Sequence, residues 1–309
     1  MTPQANLLRG LGWAAVCILS WAPMFPIAKR TLPVVDAFAL GTVRYAIGAL
    51  LFLALLALVE GRGALSYEGR FARAAISGVL GITGFNVLVW YGLSFTRPEH
   101  AAIIMALQTP LIAIAVWAAY GQRPARFTLG CVGVAIAGVL LVVTKGDPVR
   151  ALGEIAQGGA LRGDLLIACG AVSWVAYTLS AARFAGWSAL RFTALTCLPG
   201  LGGLIAANVI AIGAGIAVVP SAAALGSVAW QIVYFALCSV VLGVLGFNAG
   251  VKRLGPLNMM LMLNLIPVSV FAIEAALGRR FDPVELAGAA LVIGALAANN
   301  LYLRRRNPS

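Results

Sequence analysis

Residues 8–30, LRGLGWAAVCILSWAPMFPIAKR, and residues 161–183, LRGDLLIACGAVSWVAYTLSAAR, open on Leu-Arg-Gly, carry Ser-Trp at their centre and close on Arg. Leu8-Arg9-Gly10 matches Leu161-Arg162-Gly163, Ser20-Trp21 matches Ser173-Trp174, and Arg30 matches Arg183, all at one offset of 153 residues, about half of a 309-residue chain. Self-similarity on this scale marks the duplication of a whole structural unit.

The solvent of that unit follows from composition. The chain is 61% hydrophobic and only 10% charged, whereas a soluble globular domain is about 25% charged. Lipid therefore surrounds most of it. The net charge of +12 does not indicate nucleic acid, because the basic residues stand singly or in pairs between apolar runs. The longest basic run, Arg304-Arg305-Arg306, follows the last apolar segment, as on a cytoplasmic membrane face. Cys17, Cys131, Cys169, Cys197 and Cys238 lie inside apolar stretches with no C-x-x-C spacing. They form neither a disulfide framework nor a zinc motif. The run from Leu11 to Ile27 exceeds a signal-peptide core, so a retained first helix is expected.

A bilayer core about 30 Å thick takes about 20 apolar residues as a helix. Ten segments meet or approach that length: Leu7–Ile27, Ala37–Val59, Phe71–Phe95, Glu99–Tyr120, Phe127–Thr144, Gly163–Phe184, Leu190–Ile212, Val228–Val251, Leu257–Leu277 and Pro283–Leu303. They are numbered first to tenth below. Their apolar runs are continuous rather than alternating, which selects helices over barrel strands. The expected fold is an all-α membrane protein with a first five-helix repeat at 7–144, a linker at 145–162, a second at 163–303 and a basic cytoplasmic tail at 304–309.

With the N-terminus inside, the cytoplasmic connections carry 13 basic residues and the opposite ones 8. Counting Lys and Arg places both termini in the cytoplasm. Each repeat has an odd number of helices, so the second enters the membrane from the opposite side. The expected architecture is two inverted five-helix repeats around a central cavity. Further pairs keep the same order at offsets of 157 to 162: Gly84-Phe85-Asn86 with Gly246-Phe247-Asn248, Gly92 and Pro98 with Gly250 and Pro256, and Pro110, Gly121 and Arg123 with Pro267, Gly278 and Arg280.

These features resemble the EamA-type exporters of the drug/metabolite transporter superfamily. The resemblance covers residues 7 to 303. It rests on the opening helix from Gly12 to Lys29 with its central Ser20-Trp21, on Arg44 within Ala37–Tyr45, and on the small-residue stretch Ala101 to Pro110. It is nearest to exporters of aromatic and other neutral amino acids of the YddG type. It implies a basket-shaped bundle whose first, third, fourth, sixth, eighth and ninth helices line a cavity, with the fifth and tenth at the periphery. It further implies a multi-pass protein of a bacterial inner membrane, without cofactor or metal, whose partners are lipid and a small-molecule substrate and not nucleic acid.

Polar side chains inside spans are costly in lipid and face protein or water. Asn86 and Trp90 share one face of the third segment, and His100, Ile104 and Gln108 one stripe of the fourth. Trp21, Trp174, Tyr177, Tyr234, Asn248 and Asn264 complete the substrate-binding candidates. Together they offer amide acceptors and donors, aromatic faces for an ammonium group and an apolar wall, without fixed charge. Interhelical hydrogen bonding remains the alternative for the amides. Pro23, Pro26, Pro110 and Pro267 each remove a backbone hydrogen bond and are candidate gates. His100 and Glu274 are candidate coupling groups. For His100, beside Glu99, the competing reading is a plain extracellular loop charge; for Glu274 it is an interfacial ion pair. Arg44, seven residues into its segment, is expected to snorkel to the outer interface as a structural residue.

The chain has one His, no His/Cys cluster and almost no acid in mid-span, which argues against a membrane enzyme. Phosphorylated cargo would need cavity-facing cations, and Arg44 is the single one in mid-span. The first segment contains no acid, so the proton exchange of the small multidrug branch does not carry over. The expected function is alternating-access export of small neutral metabolites, amino acids including aromatic ones foremost. Other metabolites or drugs (purines, sugars, hydrophobic compounds), a channel-like facilitator, and the oligomeric state stay open at this point.

Overall fold

A computed structural model describes residues 3–121, 123–147, 149 and 159–306. Most of the linker and the last three residues of the tail fall outside that range. Among the described residues every regular element is a helix, with no strand. Among the described residues, seven helices are long and apolar enough to cross a membrane: Asn6–Thr31, Ala37–Val59, Phe71–Phe95, Arg126–Thr144, Ala160–Ser180, Ala189–Gly213 and Ala229–Leu254. These coincide with the first, second, third, fifth, sixth, seventh and eighth apolar segments.

The fourth and ninth segments are helical but interrupted. The fourth runs as Pro98–Ala106 and then Gln108–Tyr120, the ninth as Pro256–Leu263 and then Leu265–Ala276. The first segment has the same construction, Pro3–Trp21 and then Met24–Thr31. In all three a proline, Pro26, Pro110 or Pro267, is the third residue of the restarted helix. The first turn of a helix has no intrahelical use for its N–H groups, so proline is tolerated there. Its missing N–H deprives the carbonyl four residues earlier, at Ala22, Ala106 or Leu263, which is where the preceding helix gives out. The third and eighth segments differ again. Each contains a wide π-helical stretch, Val79–Gly84 and Phe235–Val244, a feature that often marks functional sites.

Helix starts follow local chemistry. Asp36 accepts from the N–H groups of Phe38 and Ala39, both at 2.9 Å. Ser188 accepts from the Arg191 N–H at 2.9 Å. The last helix, Pro283–Arg306, begins with a reciprocal cap: Asp282 accepts the Val284 N–H at 2.8 Å while Glu285 reaches back to the Asp282 N–H at 3.1 Å.

The packing has an internal logic. The third segment packs along the sixth, and the first along the eighth; the second pairs with the seventh and the fifth with the tenth. Small residues let these backbones meet. At the contact between the fifth and tenth segments, a Cβ on Gly138 would lie 2.7 Å from the Gly288 carbonyl oxygen, and a Cβ on Gly288 would lie 2.7 Å from that of Gly138.

Candidate functional site

A cavity of about 60 Å³ opens among the first, second, third, fourth, sixth, eighth and ninth segments. The broken helices converge on it. Trp21, Met24 and Phe25 flank the break in the first segment, Ala106 and Gln108 that in the fourth, and Leu263, Asn264, Ile266 and Pro267 that in the ninth. Ala106 and Leu263 are two of the residues whose carbonyls proline leaves without a helical donor. Irregular backbone at membrane depth is tolerated where it faces such a cavity.

Of the residues singled out in the sequence, Trp21, Gln108, Trp174, Asn264 and Pro267 line the cavity. Trp21 and Trp174, the repeated pair, meet edge to face with ring centroids 5.8 Å apart. Phe85 and Phe247 extend this cluster, with centroids 5.0 and 5.6 Å from Trp174. The Trp21 indole donates to the Ser239 carbonyl at 2.9 Å, fixing the ring plane.

The other candidates stand behind this wall. Asn86 and Trp90 are buried, and both bear on Arg44. Tyr177 packs against Trp174 with the rings tilted and their centroids 5.2 Å apart, and it is fully buried. Tyr234 donates its hydroxyl to the Ser20 carbonyl at 2.6 Å. Asn248 donates to the Thr193 hydroxyl at 2.5 Å, tying the eighth segment to the seventh. Pro23, Pro26 and Pro110 sit at or beside helix breaks without lining the cavity. Glu274 pairs with Arg30 at 3.7 Å.

Arg44 departs from the sequence expectation. It does not snorkel: it is 2% exposed and lines the cavity, so the second segment joins the lining set. The reason is its place on the helix. Gly41, Gly48, Phe52 and Leu56 are all buried, and Arg44 falls on that inward stripe at spacings of three and four. Its guanidinium donates to the Asn86 amide oxygen, which also accepts the Trp90 indole N–H at 2.9 Å. Asn86 in turn donates to the Ile82 carbonyl at 2.6 Å, inside the π-helical stretch. The guanidinium carbon lies 4.3 Å from the centre of the Trp90 ring, a cation–π contact.

His100 also departs from the loop-charge reading, because it is 2% exposed. Its Nδ1 is 3.3 Å from Asp164 and its Nε2 3.6 Å from Glu285, so it joins the fourth, sixth and tenth segments. Thr96 donates to Asp164 at 2.6 Å, and Arg279 pairs with the buried Glu99. Glu99, His100 and Glu285 could each turn one ligand atom toward a shared point. Arg97, Lys145 and Arg279, however, already lie 3.2 to 3.5 Å from Glu285 and match the acidic charge. Asp164 and Glu285 were not foreseen as site residues. Near a helix start a lone acid reads as a solvated charge or a cap, and nothing along the chain reveals that three such ends converge.

Comparison with known proteins accords with this geometry. The sequence profile of the EamA-like transporter family matches residues 8–144 and again 161–301. The chain is 28% identical over 309 residues to the uncharacterized transporter YrdR of Bacillus subtilis (strain 168), covering 98% of this chain and 95% of the relative. It is 30% identical over 280 residues to the uncharacterized transporter YyaM of the same organism, covering 90% and 89%. A protein crystal structure at 21% identity superposes on 98% of this chain and 100% of its own with a TM-score of 0.65, a likeness of fold. A twice-matched profile, apolar helices of membrane length and a cavity where broken helices meet agree on one assignment: this chain belongs to the EamA-like transporter family and is a multi-pass membrane transporter.

Proposed function

We propose that this transporter exports small neutral metabolites, foremost amino acids with aromatic or other apolar side chains, through the central cavity by alternating access. The observation that carries the reading is the meeting of Trp21 and Trp174 at the cavity. An aromatic wall beside the amides of Gln108 and Asn264 suits an apolar body with a polar head. The subtype in view is the YddG-type exporter of aromatic amino acids, in a bacterial inner membrane.

In this proposal the chain crosses ten times, as two inverted five-helix repeats with both termini cytoplasmic. The helix pairing supports it. Exchanging the halves turns first-on-eighth into sixth-on-third and leaves second-on-seventh and fifth-on-tenth unchanged, the pattern of a two-fold relation between the repeats, and the odd helix count of each repeat sets that axis in the membrane plane in this proposal. Reporter tags at residue 155 and at the C-terminus are expected on opposite sides of the envelope. Both tags on one side would end the inverted-repeat reading.

The breaks at Pro26, Pro110 and Pro267, with Pro23 beside the first, serve as the gates about which half-helices rock. The test is counterflow in proteoliposomes with a panel of labelled amino acids, nucleosides and hydrophobic cations. Saturable counterflow of phenylalanine or leucine is expected, and the pair Pro110→Ala and Pro267→Ala, by restoring continuous helices, is expected to lower it at least about tenfold. Transport of nucleosides or cations alone would overturn the substrate assignment, and non-saturable flux would identify a channel. Unchanged counterflow in the proline variants would remove the gating role.

A further inference from the structure

Resting on that reading and deepening it, we propose that Arg44 is the carboxylate seat of the cavity, so that the transported molecule carries a carboxylate beside its apolar body. A guanidinium has five N–H donors and no acceptor. In Arg44 one terminal nitrogen donates to Asn86 and the other reaches the Ser239 hydroxyl at 3.5 Å, while Nε has no partner. Among the described residues no carboxylate pairs with Arg44. The ring faces of Trp90, Tyr45 and Phe235, at 4.3, 5.2 and 5.8 Å, compensate the charge in part.

A cation held without a counter-ion at 2% exposure is costly in a low dielectric. That cost falls when an anion arrives, and only an anion that enters the cavity can reach it. The planar fork of a guanidinium matches a carboxylate in two parallel hydrogen bonds. Trp21 and Trp174 then receive the apolar body, in a cavity whose wall also includes Gln108 and Asn264 from the broken fourth and ninth segments. The support beneath Arg44 is a fixed one. Asn86 is locked to the Ile82 carbonyl and to the Trp90 indole, so the guanidinium is held in place before cargo arrives.

The test compares L-phenylalanine, L-phenylalaninamide, 3-phenylpropionate and phenethylamine as ligands of the purified full-length protein, by thermal shift and as competitors of labelled phenylalanine counterflow. Phenylalanine and phenylpropionate are expected to bind at least roughly tenfold better than their uncharged or cationic counterparts. Arg44→Gln is expected to erase that preference, and Arg44→Lys, which keeps the charge and loses the fork, to retain only part of it. Equal competition by phenylalanine and its amide in the unaltered protein, or a preserved carboxylate preference in Arg44→Gln, would overturn the proposal. Should Arg44→Gln fail to fold, the ligand series on the unaltered protein and on Arg44→Lys decides alone. The two readings fail separately. Phenylpropionate binding without amino-acid counterflow keeps the seat and ends the amino-acid reading; counterflow indifferent to the carboxylate does the reverse.

Discussion

Glu285→Ala is expected to lower the thermal stability of the detergent-solubilised protein by about 3–5 kcal/mol, the range for removing one partner of a buried ion pair. Glu285 is 1% exposed and has four basic groups around it: Arg97 at 3.2 Å, Lys145 and Arg279 at 3.5 Å and His100 at 3.6 Å. The side chains of Arg97 and Lys145 are 45% and 44% exposed, so water screens their share. The loss comes from His100, at 2% exposure, and from Arg279, at 19%, which would keep their desolvation with one acidic partner fewer, Asp164 and Glu99 alone remaining. Alanine also removes the reciprocal cap on the Asp282 N–H, a further contribution of about 1 kcal/mol. Glu285→Gln separates the two effects, since it preserves an acceptor for the cap and discards the charge. Its melting temperature is expected to fall between those of the unaltered protein and Glu285→Ala. A Glu285→Ala protein that melts with the unaltered one would show that the cluster does not hold the fourth, sixth and tenth segments together.

The second large effect is expected from Trp174→Ala. Trp174 is 4% exposed and touches Trp21, Phe85, Tyr177 and Phe247, with ring centroids between 5.0 and 5.8 Å. Deleting a buried Trp side chain costs about 3–5 kcal/mol through lost transfer energy and the void left behind. The void here adjoins the cargo cavity, so counterflow of aromatic cargo should weaken more than that of a small amino acid. Trp174→Phe keeps a ring in the cluster and is expected to recover most of the stability. The informative readout is the ratio of phenylalanine to alanine counterflow in Trp174→Phe against the unaltered protein. An unchanged ratio would remove Trp174 from substrate recognition and leave it a packing residue.

Much of the fold was legible in the chain because lipid makes strong demands on sequence. A backbone in hydrocarbon must satisfy its own hydrogen bonds, so long uncharged runs such as Ala37–Val59 declare themselves as helices. That same helix spans Ala37–Val59 in the structure, with Asp36 as its cap. The helix breaks were half legible. Pro110 and Pro267 announce them, but a proline inside a helix can kink it or end it, and the outcome here is a full restart after Leu107 and Asn264. The site was less legible. Trp21 and Trp174 could be picked out because they repeat. Tyr234 and Asn248 share the chemistry of cavity residues, yet each spends its polar group on a neighbouring helix.

By itself the sequence determined the solvent, the helical class, the duplication and the positions of the weak points in the helices. All of these follow from local composition and from spacing along one chain. Only the tertiary structure decided where each polar side chain discharges its hydrogen bonds and charge. It turned Arg44 inward onto Asn86 and Trp90, and it gathered His100, Asp164 and Glu285 from three segments into one buried cluster. The physical reason is that the cost of a polar group depends on which partner stands within about 3 Å, and helices far apart in sequence supply that partner.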